Sequence, residues 1–325
     1  MTMGAGPTRR RFIMLSAAAA GTALCPLGAG AGSRAVRWRG RALGAPAEMI
    51  LHHPDRAQAA RLIRRVVAEI DRLERIFSLY LPDSALATLN ARGALADPPA
   101  ELVDLLEQSH AVWQQSDGLF DPTVQPLWLL HARHFSAPGA DPAGPPRDSI
   151  KETLRRVGFG HVAFDRNRIA FRRAGMALTL NGIAQGYITD RAVEILRAGG
   201  VVHTLANLGE IRALGPREDG TPWRAGIAGT DARVDLVDRA IATSGTNGFR
   251  FGGPGSPSHL LDPRTGVSAG RHDSVSVVAP TAAAADAFST AFSFMDGDGI
   301  AAALRTLPGI EVHLREPGGG YRHIA

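Results

Sequence analysis

Apolar residues recur at intervals of three and four between Leu62 and Phe77, the spacing of an amphipathic helix that packs one face against a core. Asp55 stands just before this stretch and is expected to cap it, because a carboxylate there can accept from the free backbone N–H groups of the first turn. Comparable patterns predict further helices ending near Asn90 and over residues 100–115, 150–157, 187–198 and 282–294.

Short runs of alternating or continuous apolar residues predict strands between these helices. They cover residues 49–52, 162–165, 168–171, 201–205, 211–214, 223–227, 240–243 and 274–278. Residues 136–147 (SAPGADPAGPPR) are rich in proline, glycine and alanine and are expected to form a loop. Because the strands have hairpin-like neighbours, the pattern favours an α+β fold with mixed α/β layers over a purely parallel sheet.

The first 31 residues have the features of an export signal. Arg9 and Arg10 precede an apolar run from Ile13 to Leu27, and residues 29–31 (AGA) offer an A-x-A cleavage site. The run is shorter than the ~20 residues that a membrane span needs. Residues 1–31 are therefore expected to direct twin-arginine export to the periplasm and to leave a mature domain, residues 32–325, without a membrane span. A disordered basic leader and a short anchor are the alternatives.

Composition excludes several kinds of site. The single cysteine, Cys25, lies inside the predicted signal, so the mature domain would have no thiol for a disulfide, a cysteine–zinc site or a cysteine nucleophile. The net charge of +5 falls to about +2 without the three arginines at 9–11. The remaining arginines are interspersed with acidic residues, as in residues 64–74, which is typical of a solvated helix face and argues against nucleic-acid binding.

Asp286 and Thr290 are four residues apart in a predicted helix, so their side chains should point the same way. A carboxylate and a hydroxyl on one face suit Mg²⁺, which prefers oxygen ligands and retains substrate phosphates in its coordination shell. The alternative is a partly buried helix with ordinary polar positions.

Gly182 and Gly186 bracket a turn before another predicted helix. Glycines there would let the backbone approach a bound anion, towards which the helix amino end could point its free N–H groups. A tight turn leading into a helix, with no ligand, explains the same residues.

His259 precedes a predicted turn at Pro263–Gly266. A histidine held by a rigid turn can act as a general base near neutral pH, although a lone histidine is more often structural. His131 and His134 are spaced as two possible ligands on one helix face, but no third ligand is evident, and they are interpreted as surface residues.

Taken together, these elements resemble the ApbE family, the FAD:protein FMN transferases. The matching segments occur in order along almost the whole mature chain. They are residues 38–45 (WRGRALGA), 77–90 (FSLYLPDSALATLN), 117–124 (DGLFDPTV), 179–186 (TLNGIAQG), 242–245 (ATSG), 258–266 (SHLLDPRTG) and 279–290 (APTAAAADAFST). The TLNGIAQG variant, with the twin-arginine signal, is similar to the subgroup linked to nitrous-oxide reductase maturation.

The resemblance implies a two-lobed ApbE-like fold with the flavin site between the lobes. It also implies a Mg²⁺-dependent reaction that joins FMN from FAD to a Thr or Ser hydroxyl of an acceptor flavoprotein and releases AMP. By the same resemblance, Asp286, Thr290 and the carbonyl of Gly182 would hold the metal, and His259 would take the proton of the acceptor hydroxyl. The residues expected to line the FAD site are Leu43, Tyr80, Leu119, Phe120, Asp121, Thr179, Gln185 and Leu261.

The chain departs from the family pattern at three places. Thr179 stands where many members have an aspartate, Gln185 where they have a lysine, and residues 43–45 (LGA) replace the usual Met-Gly-Thr. Losing an acid and a base together preserves local charge, which suggests a retuned FAD pocket or a weakened catalyst. A periplasmic FAD carrier without transfer and a FAD pyrophosphatase are therefore alternatives, and a generic solute-binding protein explains the ordered motifs least well.

Overall fold

The computed structural model describes residues 35–42, 45–246, 248–253 and 255–325. The predicted signal at residues 1–31 and the predicted flavin contact Leu43 lie outside these residues. Within the described part of the chain, no helix combines the length and the apolar character that crossing a bilayer requires.

An antiparallel sheet of eight strands is the centre of the fold. In spatial order its strands are β1 (Ala35–Ala42), β2 (Ala45–His52), β6 (His203–Asn207), β7 (Ile211–Leu214), β10 (Ala240–Gly245), β11 (Ser274–Ala279), β12 (Glu311–Arg315) and β13 (Tyr321–Ile324). A small sheet contains β3 (Ala94–Ala96), β5 (Arg168–Phe171) and β4 (Val162–Phe164) in that order, and a hairpin pairs β8 (Trp223–Gly226) with β9 (Arg233–Leu236).

The described residues form eight α-helices. They are α1 (Arg56–Phe77), α2 (Ala85–Arg92), α3 (Ala100–Gln115), α4 (Gln125–Ser136), α5 (Arg147–Leu154), α6 (Ala184–Ala198), α7 (Ala282–Phe292) and α8 (Gly297–Leu304). Asp55 caps α1 as predicted, since its carboxylate accepts from the backbone amides of Ala57 at 2.7 Å and Gln58 at 3.0 Å.

The large sheet separates two apolar layers because successive side chains of a strand point to opposite faces. On one face, residues such as Ala242 and Val277 join the main core with α1, α6 and α7. On the other face, Ile241 and Val278 pack against the β8–β9 hairpin around the buried Trp223. This arrangement of helices on one face of an antiparallel sheet confirms the predicted α+β class.

Most predicted elements are present with shifted ends. Helix α6 begins at Ala184, three residues earlier than predicted, and β6 begins at His203 because the Val201 amide still donates to the Leu196 carbonyl at 3.1 Å to close that helix. The hairpin β4–β5 and the loop between α4 and α5 match their predictions. No pattern in the sequence predicted β1, β3, β9, β12, β13 or α8, and α4 was anticipated only by the helical spacing of His131 and His134.

Candidate active site

One open pocket brings together every predicted site residue that lies in the described part of the chain. Its space, including the part open to solvent, is about 1150 Å³, which suits a large ligand held in a cleft. The predicted residues that line it are Tyr80, Leu119, Phe120, Asp121, Thr179, Gly182, Gln185, His259, Leu261, Asp286 and Thr290. Segments more than two hundred residues apart in the sequence therefore meet at one surface.

The acidic end of the pocket is built on α7, which presents Asp286 and Thr290 on one side as the helical spacing predicts. Asp286 is buried, and its Oδ2 accepts one backbone hydrogen bond, from Gly186 N at 3.2 Å. The Thr290 hydroxyl lies 3.4 Å from that of Ser244 at the end of β10. A Cβ at Gly182 would lie only 3.0 Å from Thr290 Oγ1, so a glycine keeps the backbone close to this hydroxyl.

A second buried carboxylate, Glu210, lines the same end of the pocket and was not predicted. Its pKa is raised well above the usual value by burial and by the nearby Asp286 carboxylate, and a hydrogen bond from the Thr243 amide opposes this rise. Burial likewise raises the pKa of Asp286 to about 7, against a smaller opposing effect of the Gly186 amide. Asp286 disfavours the charged form of Glu210, and Asp190 adds to the rise at Asp286, so the two buried carboxylates form an oxygen-rich site that a hard cation would stabilise.

The amino end of α7 is fixed by Asp190 of α6. The Asp190 carboxylate accepts from the backbone amides of Ala282 at 2.8 Å and Ala283 at 3.0 Å, and Arg212 of β7 pairs with it. A carboxylate at the amino end of a helix accepts hydrogen bonds from the free N–H groups, and its negative charge interacts favourably with the positive end of the helix dipole. Asp190 therefore sets the position from which Asp286 and Thr290 reach the pocket.

Gly186 serves the packing of two helices rather than an anion. A Cβ at this position would lie 2.3 Å from the carbonyl oxygen of Ala282, so only a glycine lets the first turn of α6 touch the start of α7. Its amide donates to Asp286. Of the two interpretations of this turn, the structure thus favours close packing at Gly186.

His259 also lines the pocket, half-buried on the loop after β10. Its Nδ1 is 3.2 Å from the Phe249 carbonyl oxygen, so Nδ1–H donates and Nε2 keeps its lone pair. Burial lowers the pKa of His259, which leaves the ring neutral at neutral pH. The predicted turn that follows is confirmed, since Gly266 N donates to the Asp262 carbonyl at 2.7 Å.

Apolar and aromatic side chains form the wall of the pocket. Leu119, Phe120 and Leu261 are buried, while Tyr80 is 43% exposed at the surface. Trp128 and Phe249, which were not predicted, add two rings with centroids 6.4 Å apart. No spacing in the sequence marks Trp128, because its place in the wall depends on how α4 packs against the Phe249 loop.

The carboxylate of Asp121 lines this wall but is occupied by its own loop. Its Oδ1 accepts from the Thr123 amide and hydroxyl at 2.8 and 2.6 Å, and its Oδ2 accepts from the Phe159 amide at 2.9 Å. Burial raises the pKa of Asp121 in spite of these bonds. Both oxygens of the Asp121 side chain are therefore engaged by the protein, and the side chain stabilises the shape of the pocket wall.

Gln185 and Thr179, the two polar departures from the family pattern, both line the pocket. Gln185 is buried, and its Nε2 has no hydrogen-bond partner among the described residues, which leaves an amide donor available to a ligand. Thr179 is held by its backbone, whose amide donates to the Pro122 carbonyl at 2.8 Å.

The interpretation of His131 as a surface residue is wrong. Its ring is buried, with its centroid 5.3 Å from that of Phe251, and burial lowers its pKa. His134 is only partly buried, and its Nε2 lies 2.9 Å from the Asp141 carbonyl oxygen. The two histidines therefore do not form a paired ligand site on the surface of α4.

Known proteins resemble this chain over most of its length. The model of the ApbE family matches residues 43–314. A FAD:protein FMN transferase of Chlamydia pneumoniae is 31% identical over 253 residues, which cover 74% of this chain and 78% of the relative.

Two solved structures share the fold. The apo form of the flavinyl transferase ApbE of Pseudomonas stutzeri is 27% identical, with a TM-score of 0.78 and coverage of 90% of this chain and 96% of that one. The ApbE protein of Thermotoga maritima is also 27% identical, with a TM-score of 0.79 and coverage of 89% and 97%.

Proposed function

Because the chain belongs to the ApbE family, we propose that it is a FAD:protein FMN transferase that joins FMN by a phosphoester bond to a Thr or Ser hydroxyl of an acceptor flavoprotein. The observation that carries the proposal is the pocket itself, whose lining combines buried oxygen ligands, a neutral histidine and an apolar, aromatic wall. The curated relatives that match at similar length bear the name of this activity.

The oxygen-rich end fits Mg²⁺. Asp286, Thr290 and the carbonyl of Gly182 would hold the ion, and Glu210 adds a second buried carboxylate beside them. All of these ligand atoms are oxygens, which Mg²⁺ prefers, and burial raises the pKa of both carboxylates, so a bound cation would favour their ionised forms. When bound, Mg²⁺ would neutralise the negative charge of the FAD diphosphate.

His259 would act as the general base. Its Nε2 accepts the proton of the acceptor hydroxyl as that oxygen bonds to the phosphorus of the FMN half of FAD. The bond from this phosphorus to the bridging oxygen breaks, and AMP leaves with that oxygen. FAD and the acceptor hydroxyl thus become FMN–protein and AMP. Burial keeps the His259 ring neutral by lowering its pKa, and the Phe249 carbonyl fixes the tautomer with a lone pair on Nε2, which is the form that this step needs.

The wall of the pocket would hold the flavin. Leu119, Phe120 and Leu261 offer buried apolar surface, and Tyr80 offers an exposed ring at the mouth. The free amide donor of Gln185 would bond to an acceptor atom of FAD in place of the lysine that many family members have.

We further propose that the enzyme acts in the periplasm after twin-arginine export. This rests on residues 8–31 alone, which contain Arg9 and Arg10 before an apolar run. An acceptor flavoprotein that takes part in nitrous-oxide reductase maturation is proposed on the sequence resemblance of residues 179–186 together with the twin-arginine signal.

Intact-mass analysis tests the activity. The chain is incubated with FAD, Mg²⁺ and an acceptor flavoprotein domain, and the acceptor should gain the mass of one FMN, with no gain when a chelator is present. His259→Gln should bind FAD normally and transfer FMN about 10²–10⁴-fold more slowly. Tight FAD binding with no gain on two different acceptors would instead indicate a FAD carrier.

A further inference from the structure

A second group of potential metal ligands lies at the edge of the large sheet, where β12 pairs with the last strand, β13. Glu311 and His313 are two residues apart on β12, so their side chains leave the same face of the sheet. His323 of β13 stands directly opposite His313 in the antiparallel register. The strands alone therefore bring one carboxylate and two imidazoles together, and none of the three lines the pocket described above.

The side chains are close enough to share one ion. One ligand atom from each of Glu311, His313 and His323 lies within 4.8 Å of the other two. His323 Nε2 is 3.5 Å from Glu311 Oε2, and the two imidazole rings are stacked with centroids 4.5 Å apart. Because a nitrogen lone pair lies in its ring plane, binding one ion requires the His323 ring to turn, and its 44% exposed side chain leaves it room to do so.

His313 offers a nitrogen that the fold leaves without a partner. The residue is only 5% exposed, and its Nε2 is buried with no hydrogen-bond partner among the described residues. Its Nδ1 lies 2.8 Å from the Tyr321 hydroxyl, which can accept from Nδ1–H and leave the lone pair on Nε2. Histidine ligands of metals commonly donate their other N–H to an oxygen in this way.

Glu311 also keeps one oxygen available. Arg239 pairs with Oε1 and donates a second bond to the Gly309 carbonyl, whereas Oε2 faces His323. Arg239 thus orients the carboxylate without covering its second oxygen.

We propose that Glu311, His313 and His323 bind a divalent transition-metal ion of the zinc class, which ties the last strand to the sheet. Two imidazoles and one carboxylate are a ligand set that zinc and its neighbours use, and they differ from the all-oxygen set that suits Mg²⁺ at Asp286. Tyr321 is the positioning residue of this site, because it holds the His313 ring.

Zinc titration of the full chain, carrying no polyhistidine tag, tests the proposal. Excess Mg²⁺ is present throughout to occupy the oxygen-rich pocket, and free Zn²⁺ is read with a chromogenic chelator. The wild type should bind one more Zn²⁺ per chain than His323→Ala, and Glu311→Gln should weaken this binding at least tenfold. Zn²⁺ should raise the Tm of the wild type and leave that of His323→Ala unchanged.

Arg322→Ala is the matched control, because Arg322 is an exposed neighbour on the same strand whose side chain leaves the opposite face. It should bind Zn²⁺ as the wild type does. Circular dichroism and Tm without zinc verify that each variant folds, which is expected because His323 is exposed. Equal Zn²⁺ stoichiometry and affinity in the wild type and His323→Ala would overturn the proposal.

Discussion

The buried carboxylate pair at the oxygen-rich end of the pocket should make the metal-free protein less stable than it would be with one neutral side chain there. Asp286→Asn removes the charge and keeps the shape, and the new amide oxygen can still accept from Gly186 N. We therefore expect this variant to be more stable than the wild type in the absence of divalent cations, although it removes a proposed metal ligand.

The size of the effect follows from the pKa of Asp286, which burial raises from 3.8 to about 7. An acid with a raised folded-state pKa binds more protons in the folded than in the unfolded state, so its contribution to stability falls as pH rises from about 4 to about 7. At about 1.36 kcal/mol for each pKa unit, the full difference is roughly 4 kcal/mol. Water and buffer cations that enter the open pocket reduce it, so roughly 2–4 kcal/mol is expected at pH 8.

Urea unfolding followed by tryptophan fluorescence, with a chelator present, measures this difference from pH 5 to pH 8. The free energy of unfolding of Asp286→Asn minus that of the wild type should grow as pH rises. When Mg²⁺ replaces the chelator, it should stabilise the wild type but not Asp286→Asn. Asp235→Asn, which changes an exposed carboxylate, should show no such trend. A difference between Asp286→Asn and the wild type that is constant or shrinks with pH would refute the reasoning.

Three further substitutions test the parts around this pair. Asp190→Asn should lower the free energy of unfolding, measured in urea, by about 3 kcal/mol, because it breaks a buried ion pair and weakens the hydrogen bonds at the start of α7. Asp235→Asn, at an exposed pair, should change it by less than about 1 kcal/mol, and equal effects of the two substitutions would contradict the account. Gly186→Ala should lower Tm strongly and abolish the Mg²⁺ binding measured by calorimetry, because the new Cβ would lie 2.3 Å from a backbone oxygen. Gly270→Ala, at a position with open space around it, should leave both Tm and Mg²⁺ binding unchanged. Gln185→Ala should raise the Kd for FAD about tenfold in fluorescence titration with little loss of Tm, and an unchanged Kd would exclude its side chain from the flavin site.

The parts of the site that depend on local spacing could be predicted from the sequence. The helix of residues 282–292 and the shared face of Asp286 and Thr290 follow from composition and a four-residue interval. His259 and the turn after it follow from the Pro and Gly of one short segment. Each of these features is contained within a dozen residues.

Features that depend on distant packing could not be predicted. Glu210 lies in the turn between β6 and β7, and only the folded sheet places it beside Asp286. Asp190 has the sequence context of a solvated helix residue, yet the start of α7 covers it. His131 is buried because of the loop at Phe251, which helical spacing alone does not reveal.

The strands at the carboxyl end show a weak signal of another kind. Strand β12 alternates polar with apolar residues, with Val312 and Leu314 on its apolar face. On the opposite, polar face His313 is buried, whereas Glu311 and Arg315 are partly buried. In the sequence, a buried position with a polar residue cannot be distinguished from a position exposed to solvent. The same property leads to the proposed zinc site.

The most direct test of the central claim is to quantify AMP and protein-bound FMN in the same reaction of the chain with FAD, Mg²⁺ and an acceptor flavoprotein. The account predicts that the two products form in equal amounts, that Asp286→Ala and chelator abolish both, and that His259→Gln slows both equally. AMP formed with free FMN at the same rate whether or not the acceptor is present would contradict it and identify the chain as a FAD pyrophosphatase.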